Sequence, residues 1–453
     1  MRITPAPKAL AGTAIARERM IVLFMVMLVT AAGNTAMQSV MPGVGEKLGI
    51  ADYWVSLAYS WSAILWMFTA PYWARMSDKR GRKALMKVGI WGFIVSFLCC
   101  GAVLWAGLNG YMGAALTMLL FALSRTLYGG FGSAAPPAVQ AYVAARTDRA
   151  LRTQALAVVS SSFGLGTVIG PAIAPLLILP LLGLTSPFLF FALFGVMVLA
   201  ALRIFLPDDD PRFAARGRVV SEPSNSSYVE REDDGEDNEN TGKDEDGVLP
   251  APDEQARMRW HDKRIRPWMI AGLLGGHAHA VILGMIGFLL LDRLDLRATP
   301  ELAAGPTGLV LMAGAIATLL AQWGLIPKLQ MGPRASTLWG VLLGAAGCLI
   351  IAVAEPLHTI TLGYIIASLG FGLFRPGFVA GASLSVSRPE QGQVAGIVAS
   401  INGAAFVLGP FVGVWLYTVY PPYAFALITV LCLCVLALGW KGLQADRELT
   451  AQS

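Results

Sequence analysis

Two arginines lie where a charge is costly. Arg125 falls in the middle of an apolar helix-length run, FALSRTLYGGFGSAAP, and Arg375 precedes Pro376 in another, FGLFRPGF. A guanidinium in hydrocarbon costs at least several kcal/mol unless it faces water or a partner. Its planar fork of donors suits carboxylate or phosphate. The competing readings are an Arg125 bonded to backbone carbonyls and an Arg375 lying near the end of its span. Asn34 and Gln38 are four residues apart and share one helix face, offering hydrogen bonds without charge. Tyr128, with Tyr59, Trp61, Trp66 and Trp323, could stack on an apolar solute, although most membrane Trp and Tyr residues pack or sit at an interface. The groups able to carry a proton are Asp52, Asp78, His277 and His279. His277 and His279 point about 200° apart on a helix, so at most one faces a given cavity. No paired acids, metal-ligand cluster, nucleophile constellation or phosphate loop is present in the sequence, so neither an enzyme nor a metal or other cofactor is expected.

The elements that hold these residues are membrane helices. The chain has 453 residues, of which 55% are hydrophobic and 14% charged, with a mean hydropathy of +0.60. Soluble domains carry about 25% charged residues. Spans of about 20 residues are expected near 20–42, 52–73, 84–106, 111–133, 153–178, 186–206, 266–291, 303–326, 335–354, 359–379, 393–417 and 421–441. The first lacks a small-residue cleavage site and is read as an uncleaved span. Arg146, Arg149, Arg152, Lys328, Arg334, Arg388 and Lys441 fall on one side, which the positive-inside rule makes cytoplasmic. The loop 292–301 is an exception, with Arg293 and Arg297 accompanied by Asp292, Asp295 and Glu301. An even span count puts both termini in the cytoplasm.

The organisation is therefore a tail (1–19), six spans (20–206), a linker (207–265), six more spans (266–441) and a second tail (442–453). The linker contains EREDDGEDNENTGKDEDG, a composition that cannot bury a core and reads as a disordered tether. The net charge of +5 sits in loops on one side and marks topology rather than nucleic-acid binding. The five cysteines all lie in apolar runs and read as small packing residues.

Two features indicate two related halves. A shift of 239 positions superposes QALAVVSSSFGLGTVIGPAIAPLL, from Gln154, on QVAGIVASINGAAFVLGPFVGVWL, from Gln393. Gly164, Gly170 and Pro171 thereby fall on Gly403, Gly409 and Pro410. Such a repeat predicts a transporter that holds its solute near the midplane between the halves. The second feature is the stretch 74–83, ARMSDKRGRK, between two spans. It is a basic cytoplasmic loop in which Gly81 permits a turn.

At Asp78, Lys79, Gly81, Arg82 and Lys83 this loop resembles the G-x-x-x-D-R/K-x-G-R-K loop of the major facilitator superfamily, with Ala74 in place of the first Gly. The resemblance implies a twelve-helix, all-α fold of two pseudo-symmetric six-helix halves, and a role for these five residues as a conformational latch. The alternative is a loop that only sets topology. Gly166, Gly170 and Pro171 resemble the helix-5 motif of the superfamily's drug:proton antiporters, with Ala174 where a later Gly is usual. That resemblance implies export by proton exchange; the alternative is general helix packing. Arg125, followed by Gly129, Gly130 and Gly132, resembles the family's helix 4 and implies a role in proton coupling or substrate contact. The acid usual near the inner end of that helix is replaced by Ala145, with Asp148 nearby, which leaves the partner of Arg82 open.

With no acid in the first helix and two candidate cavity arginines, the charge balance points to export of a small anionic metabolite, such as an organic acid or a carboxylate siderophore. Arg125, Arg375, Asn34, Gln38 and Tyr128 would line the site. The alternative is a neutral substrate with both arginines paired to protein groups. Multidrug or tetracycline-type efflux of amphipathic compounds is the alternative function, and proton-coupled uptake the third. The expected partners are a small solute, protons and the lipid of a bacterial inner membrane, with the chain acting as a monomer.

Overall fold

The computed structural model of the chain describes residues 15–144, 146, 152–208, 262–386 and 391–446. All long elements are helices: α1 (Arg17–Lys47), α2 (Asp52–Arg80), α3 (Arg82–Leu108), α4 (Ala114–Phe131), α5 (Ala135–Ala144), α6 (Arg152–Ile173), α7 (Ser186–Phe205), α8 (Arg266–Arg293), α9 (Ala304–Leu319), α10 (Ile326–Leu329), α11 (Pro333–Val353), α12 (Leu357–Leu384), α13 (Gln391–Val419) and α14 (Pro421–Gly442). A 3₁₀ turn, Gly132–Ala134, joins α4 to α5, and a π turn, Leu320–Leu325, joins α9 to α10, so the chain makes twelve spans. Among the described residues, ten helices are long and apolar enough to cross a bilayer. α2 and α6, of 29 and 22 residues, complete the bundle.

The helices exceed the apolar runs that predict them. α1 has 31 residues, about 46 Å at 1.5 Å per residue, against a hydrocarbon thickness of about 30 Å. Its surplus turns carry Arg17, Glu18 and Arg19 at one end and Glu46 and Lys47 at the other, where charged side chains reach water. The same surplus corrects the expected loop at 74–83. α2 continues through Arg80, α3 begins at Arg82, and Gly81 alone breaks the helix with φ 88°. Lys and Arg are good helix formers, so a basic stretch outside the hydrocarbon has no reason to unwind. The fourth span likewise runs on to Ala144 through the turn at Gly132–Ala134, past the expected end near residue 133. The acidic linker beyond residue 208, Ala145, Asp148 and residues 1–14 lie outside the described residues, as do the side chains of Asp78 and Lys79.

The internal repeat is visible as packing. α6 lies against α1 and α9, and its counterpart α13 lies against α8 and α2. A Cβ on Gly166 would stand 2.6 Å from the Leu28 carbonyl oxygen, and one on Gly409 would stand 2.6 Å from the Ala280 Cβ. The small residues therefore let each helix pair approach closely. Pro171 and Pro410 both sit inside their helices. Contacts of α2 with α13 and of α6 with α9 join the two halves. The five cysteines are unpaired thiols.

Candidate functional site

Arg125 is 2% exposed near the middle of its span. Its Nη2 donates to Asn34 Oδ1 at 2.9 Å. The guanidinium carbon stands 4.8 Å from the Tyr128 ring centroid and 5.3 Å from that of Tyr59, within cation–π range. Nε and Nη1 of Arg125 and the hydroxyl of Tyr59 are buried without a hydrogen-bond partner. Tyr128 is fixed in turn: its hydroxyl donates to the Thr30 carbonyl at 3.2 Å, and Trp66 packs at 5.3 Å between centroids. Gly129 lets α4 meet α2, because a Cβ there would be 2.6 Å from the Ser62 carbonyl oxygen. Helices α1, α2 and α4 thus hold a cation in an aromatic cage, with Gln38 half-buried one turn along α1 from Asn34. Of the other aromatics, Trp61 donates to Thr126 at 3.0 Å and is exposed, and Trp323 is 59% exposed.

Arg375 stands on α12 in the other half and is exposed. At about 100° per residue, its direction falls between those of Phe371 and Gly372. Phe371 stacks on His279 of α8 at 4.8 Å, and Gly372 lies against Thr318 and Ala321 of the α9 span. Gly370 and Gly377 face α11 on the far side of α12. Arg375 therefore points away from α11, towards the opening between α8 and α9. His277 Nδ1 is 2.7 Å from the Leu273 carbonyl oxygen of its own helix. The two histidines therefore face apart, and it is His279 that lies beside Phe371.

The bundle is shut at the end carrying the α1–α2 turn. Arg297 donates from Nε to Asp292, from Nη1 to Glu46, and from Nη2 to Asp52 at 2.9 Å. Asp292 also accepts from the Tyr417 hydroxyl at 2.8 Å. Glu46 and Asp52 belong to α1 and α2, whereas Asp292 and Tyr417 belong to α8 and α13, so one guanidinium ties the two halves. Burial works against the Arg297 charge, but the hydrogen bonds to Asp292 and Asp52 outweigh it and raise its pKa above the ordinary value. Lys47 pairs with Glu301 in a second strap. The apolar surfaces beneath also close: a Cβ on Gly287 would stand 2.5 Å from Pro42 Cγ, and Tyr53 meets Phe411 edge-on at 6.5 Å.

At the opposite end, Lys83 is 6% exposed and caps α7. It donates to the carbonyl oxygens of Leu206 and, at 3.3 Å, Arg203, and pairs with Asp208 at 3.1 Å. A cation suits the negative end of a helix. Arg82 is buried beside it, and Gly81 provides the turn. Gly166 and Gly170 lie on α1, and Thr35 Oγ1 donates to the Gly166 carbonyl at 3.4 Å. The Pro171 carbonyl abuts Gly308 of α9, so the helix-5 motif contributes to the seam between halves.

Sequence reasoning finds Arg125, Asn34 and Tyr128, which the structure brings together, and Asp52, which it places at the shut end, away from the Arg125 cage. It misses Arg297 as a hub, with Glu46 and Tyr417. The signal was the cluster of acids around Arg297, in a loop that breaks the charge rule.

The profile of the Major Facilitator Superfamily matches residues 23–357 and 323–450. The chain is 22% identical over 413 residues, 90% of its own length and 91% of the other, to "Multidrug resistance protein 2" of Bacillus subtilis. It is 28% identical over 180 residues, 40% of each protein, to the "Multi-drug resistance efflux pump PmrA homolog" of Lactococcus lactis. Among solved structures, the inward open xylose transporter XylE from E. coli aligns with a TM-score of 0.68 at 12% identity, covering 95% of this chain and 98% of that one. The human organic anion transporter MFSD10 aligns with a TM-score of 0.59 at 18% identity, covering 93% and 99%. With the twelve spans, the internal repeat and the profile match across the chain, this protein belongs to the Major Facilitator Superfamily and is a multi-pass membrane transporter of small molecules.

Proposed function

We propose that this transporter exports amphipathic small molecules from a bacterial cytoplasm in exchange for protons, by alternating access. The observation that carries the reading is one buried charge at mid-span held between the rings of Tyr59 and Tyr128, with Trp66 packed on Tyr128. An apolar wall with a few placed polar groups accommodates varied amphipathic solutes. The matched relatives named for multidrug resistance support the same direction of transport. The basic Gly81 end belongs on the cytoplasmic side under the positive-inside rule. The Arg297 end then faces outward, and the structure is the outwardly shut member of the cycle. Both termini are cytoplasmic, the acidic linker is a tether between the halves, and the chain works as a monomer. Gly81, Arg82 and Lys83, with Asp78 and Lys79, would latch the opposite state. Asp52, Asp78, His277 and Arg125 are the groups to test for proton coupling.

The test is expression in a bacterium stripped of its own pumps. Efflux of amphipathic dyes should rise above an empty-vector strain and collapse when a protonophore dissipates the gradient. Unchanged efflux with the protein present in the membrane would refute the reading. A second reading, export of a small acidic metabolite, is favoured by the unpaired donors of Arg125. The three curated relatives are named for multidrug resistance or efflux. Uptake is the remaining direction, and it predicts accumulation of solute rather than its loss.

A further inference from the structure

In the interior of the described spans cations stand without an anion beside them; the buried carboxylate of Asp52 lies at the end of α2 and is paired with Arg297. Every Asp and Glu in the described helices sits at a helix end: Glu18 and Glu46 in α1, Asp52 and Asp78 in α2, and Asp292 in α8. Arg125 and Arg375 lie well inside α4 and α12. Arg125 has for neighbours a neutral amide, two aromatic faces and the backbone. The amide takes one donor, while Nε, Nη1 and the Tyr59 hydroxyl find no acceptor in the protein. Aromatic faces offset part of a buried charge, but they do not accept the remaining N–H hydrogens in line. A buried guanidinium without a counter-charge is unstable, and its partners are ordinarily conserved as a pair within the fold. Here the fold supplies half of that pair.

We infer that the missing half is the substrate's: the cage around Arg125 binds amphipathic molecules through an anionic, carboxylate-type group seated on the free donors of Arg125, with the aromatic body against Tyr59, Tyr128 and Trp66. This deepens the export reading and rests on it. An acceptor at Nε or Nη1 forms a charge-assisted hydrogen bond in a site of low dielectric, and the Tyr59 hydroxyl can donate to the same group. Arg375, directed between α8 and α9, adds a second positive charge to the field that draws an anion in. The Asn34 amide leaves the guanidinium without a counter-charge of its own. An Asp at that position would place a permanent carboxylate 2.9 Å from Nη2 and satisfy the arginine from within.

The test uses purified full-length protein in nanodiscs and two probes of equal shape, naphthylacetate and naphthylacetamide, with binding read from quenching of tryptophan fluorescence. The acid should bind wild type at least about tenfold more tightly than the amide, which corresponds to about 1.4 kcal/mol. Asn34→Asp should remove that preference, the acid then binding no more tightly than the amide. Equal affinities for the two probes in wild type would overturn the inference without any variant. So would a preference that survives Asn34→Asp. Efflux in the pump-deficient strain separates the two proposals. If dyes of any charge are exported but the acid gains nothing over the amide, the anion site fails and the export reading stands. If nothing is exported yet the acid preference holds, the export reading fails and the site stands.

Discussion

Arg297→Ala should loosen the shut end of the bundle. The substitution removes three charge-assisted hydrogen bonds, to Glu46, Asp52 and Asp292, and each joins or abuts the seam between the halves. The Arg297 side chain is 38% exposed, so solvent screens these bonds and each is worth about 0.3–1 kcal/mol rather than a buried value. The two that cross between the halves, to Glu46 and Asp52, sum to about 0.6–2 kcal/mol, a shift of about 3- to 30-fold towards the outwardly open state. The loss also leaves three carboxylates facing one another, which pushes in the same direction. A membrane-impermeant thiol reagent can read the change. In a background with the five native cysteines replaced, Phe411→Cys lies under the closed surface opposite Tyr53. If opening is fast relative to modification, the labelling rate from outside is proportional to the open fraction. Labelling should accelerate at least about threefold when Arg297→Ala is added. Identical rates with and without Arg297 would show that the ion cluster does not hold this end shut.

Other consequences are as direct. Gly166→Ala would bring a Cβ to 2.6 Å from the Leu28 carbonyl oxygen, an overpacking cost of about 1–3 kcal/mol; a lowered midpoint of unfolding in detergent is expected. Gly130→Ala, where nothing lies within 4 Å, should leave that midpoint unchanged. Lys83→Met takes the cation from the α7 terminus and should cost about 1–2 kcal/mol, measurable as reduced stability with the helix content retained. The Lys47–Glu301 strap has a pH signature. Its hydrogen bond to Lys47 holds the Glu301 carboxyl below its ordinary value of 4.5. The strap's contribution is therefore complete above that pH and is lost as the pH falls through the lowered value. Its removal by Glu301→Gln should matter at neutral pH and not in strong acid, as read by labelling of Phe411→Cys.

The fold was legible because its signals are long and repeated. Twelve apolar runs, the charge asymmetry of the loops and the offset that lays Gly164, Gly170 and Pro171 on Gly403, Gly409 and Pro410 all report the same architecture. Helix ends were less legible, since hydropathy records where hydrocarbon stops and not where a helix does. α2 therefore runs through the basic residues to Gly81, and α1 reaches Lys47. Within the site, a mid-span arginine and an amide on the first helix are visible in sequence because polar groups are rare there. That Asn34 bonds Arg125 requires side chains to bridge α1 and α4, a tertiary relation that no local pattern encodes. The Arg297 hub was hidden for a related reason. Glu46 and Asp52 belong to the first half and Asp292 and Tyr417 to the second, and only the packing of the halves brings all four to one place around Arg297.

The central claim is that solute binds at the Arg125 cage and moves against protons. The most direct measurement reconstitutes purified protein in liposomes carrying an internal pH-sensitive dye, with no imposed gradient. An amphipathic substrate is added outside, and proton movement is recorded for wild type and for Arg125→Met. Wild type should move protons in the direction opposite to the substrate, at a rate that saturates with substrate concentration. Arg125→Met, folded as judged by its elution as a single species, should lose that movement. Substrate-driven proton flux of equal size in Arg125→Met, or substrate transport by wild type with no proton movement, would contradict the account.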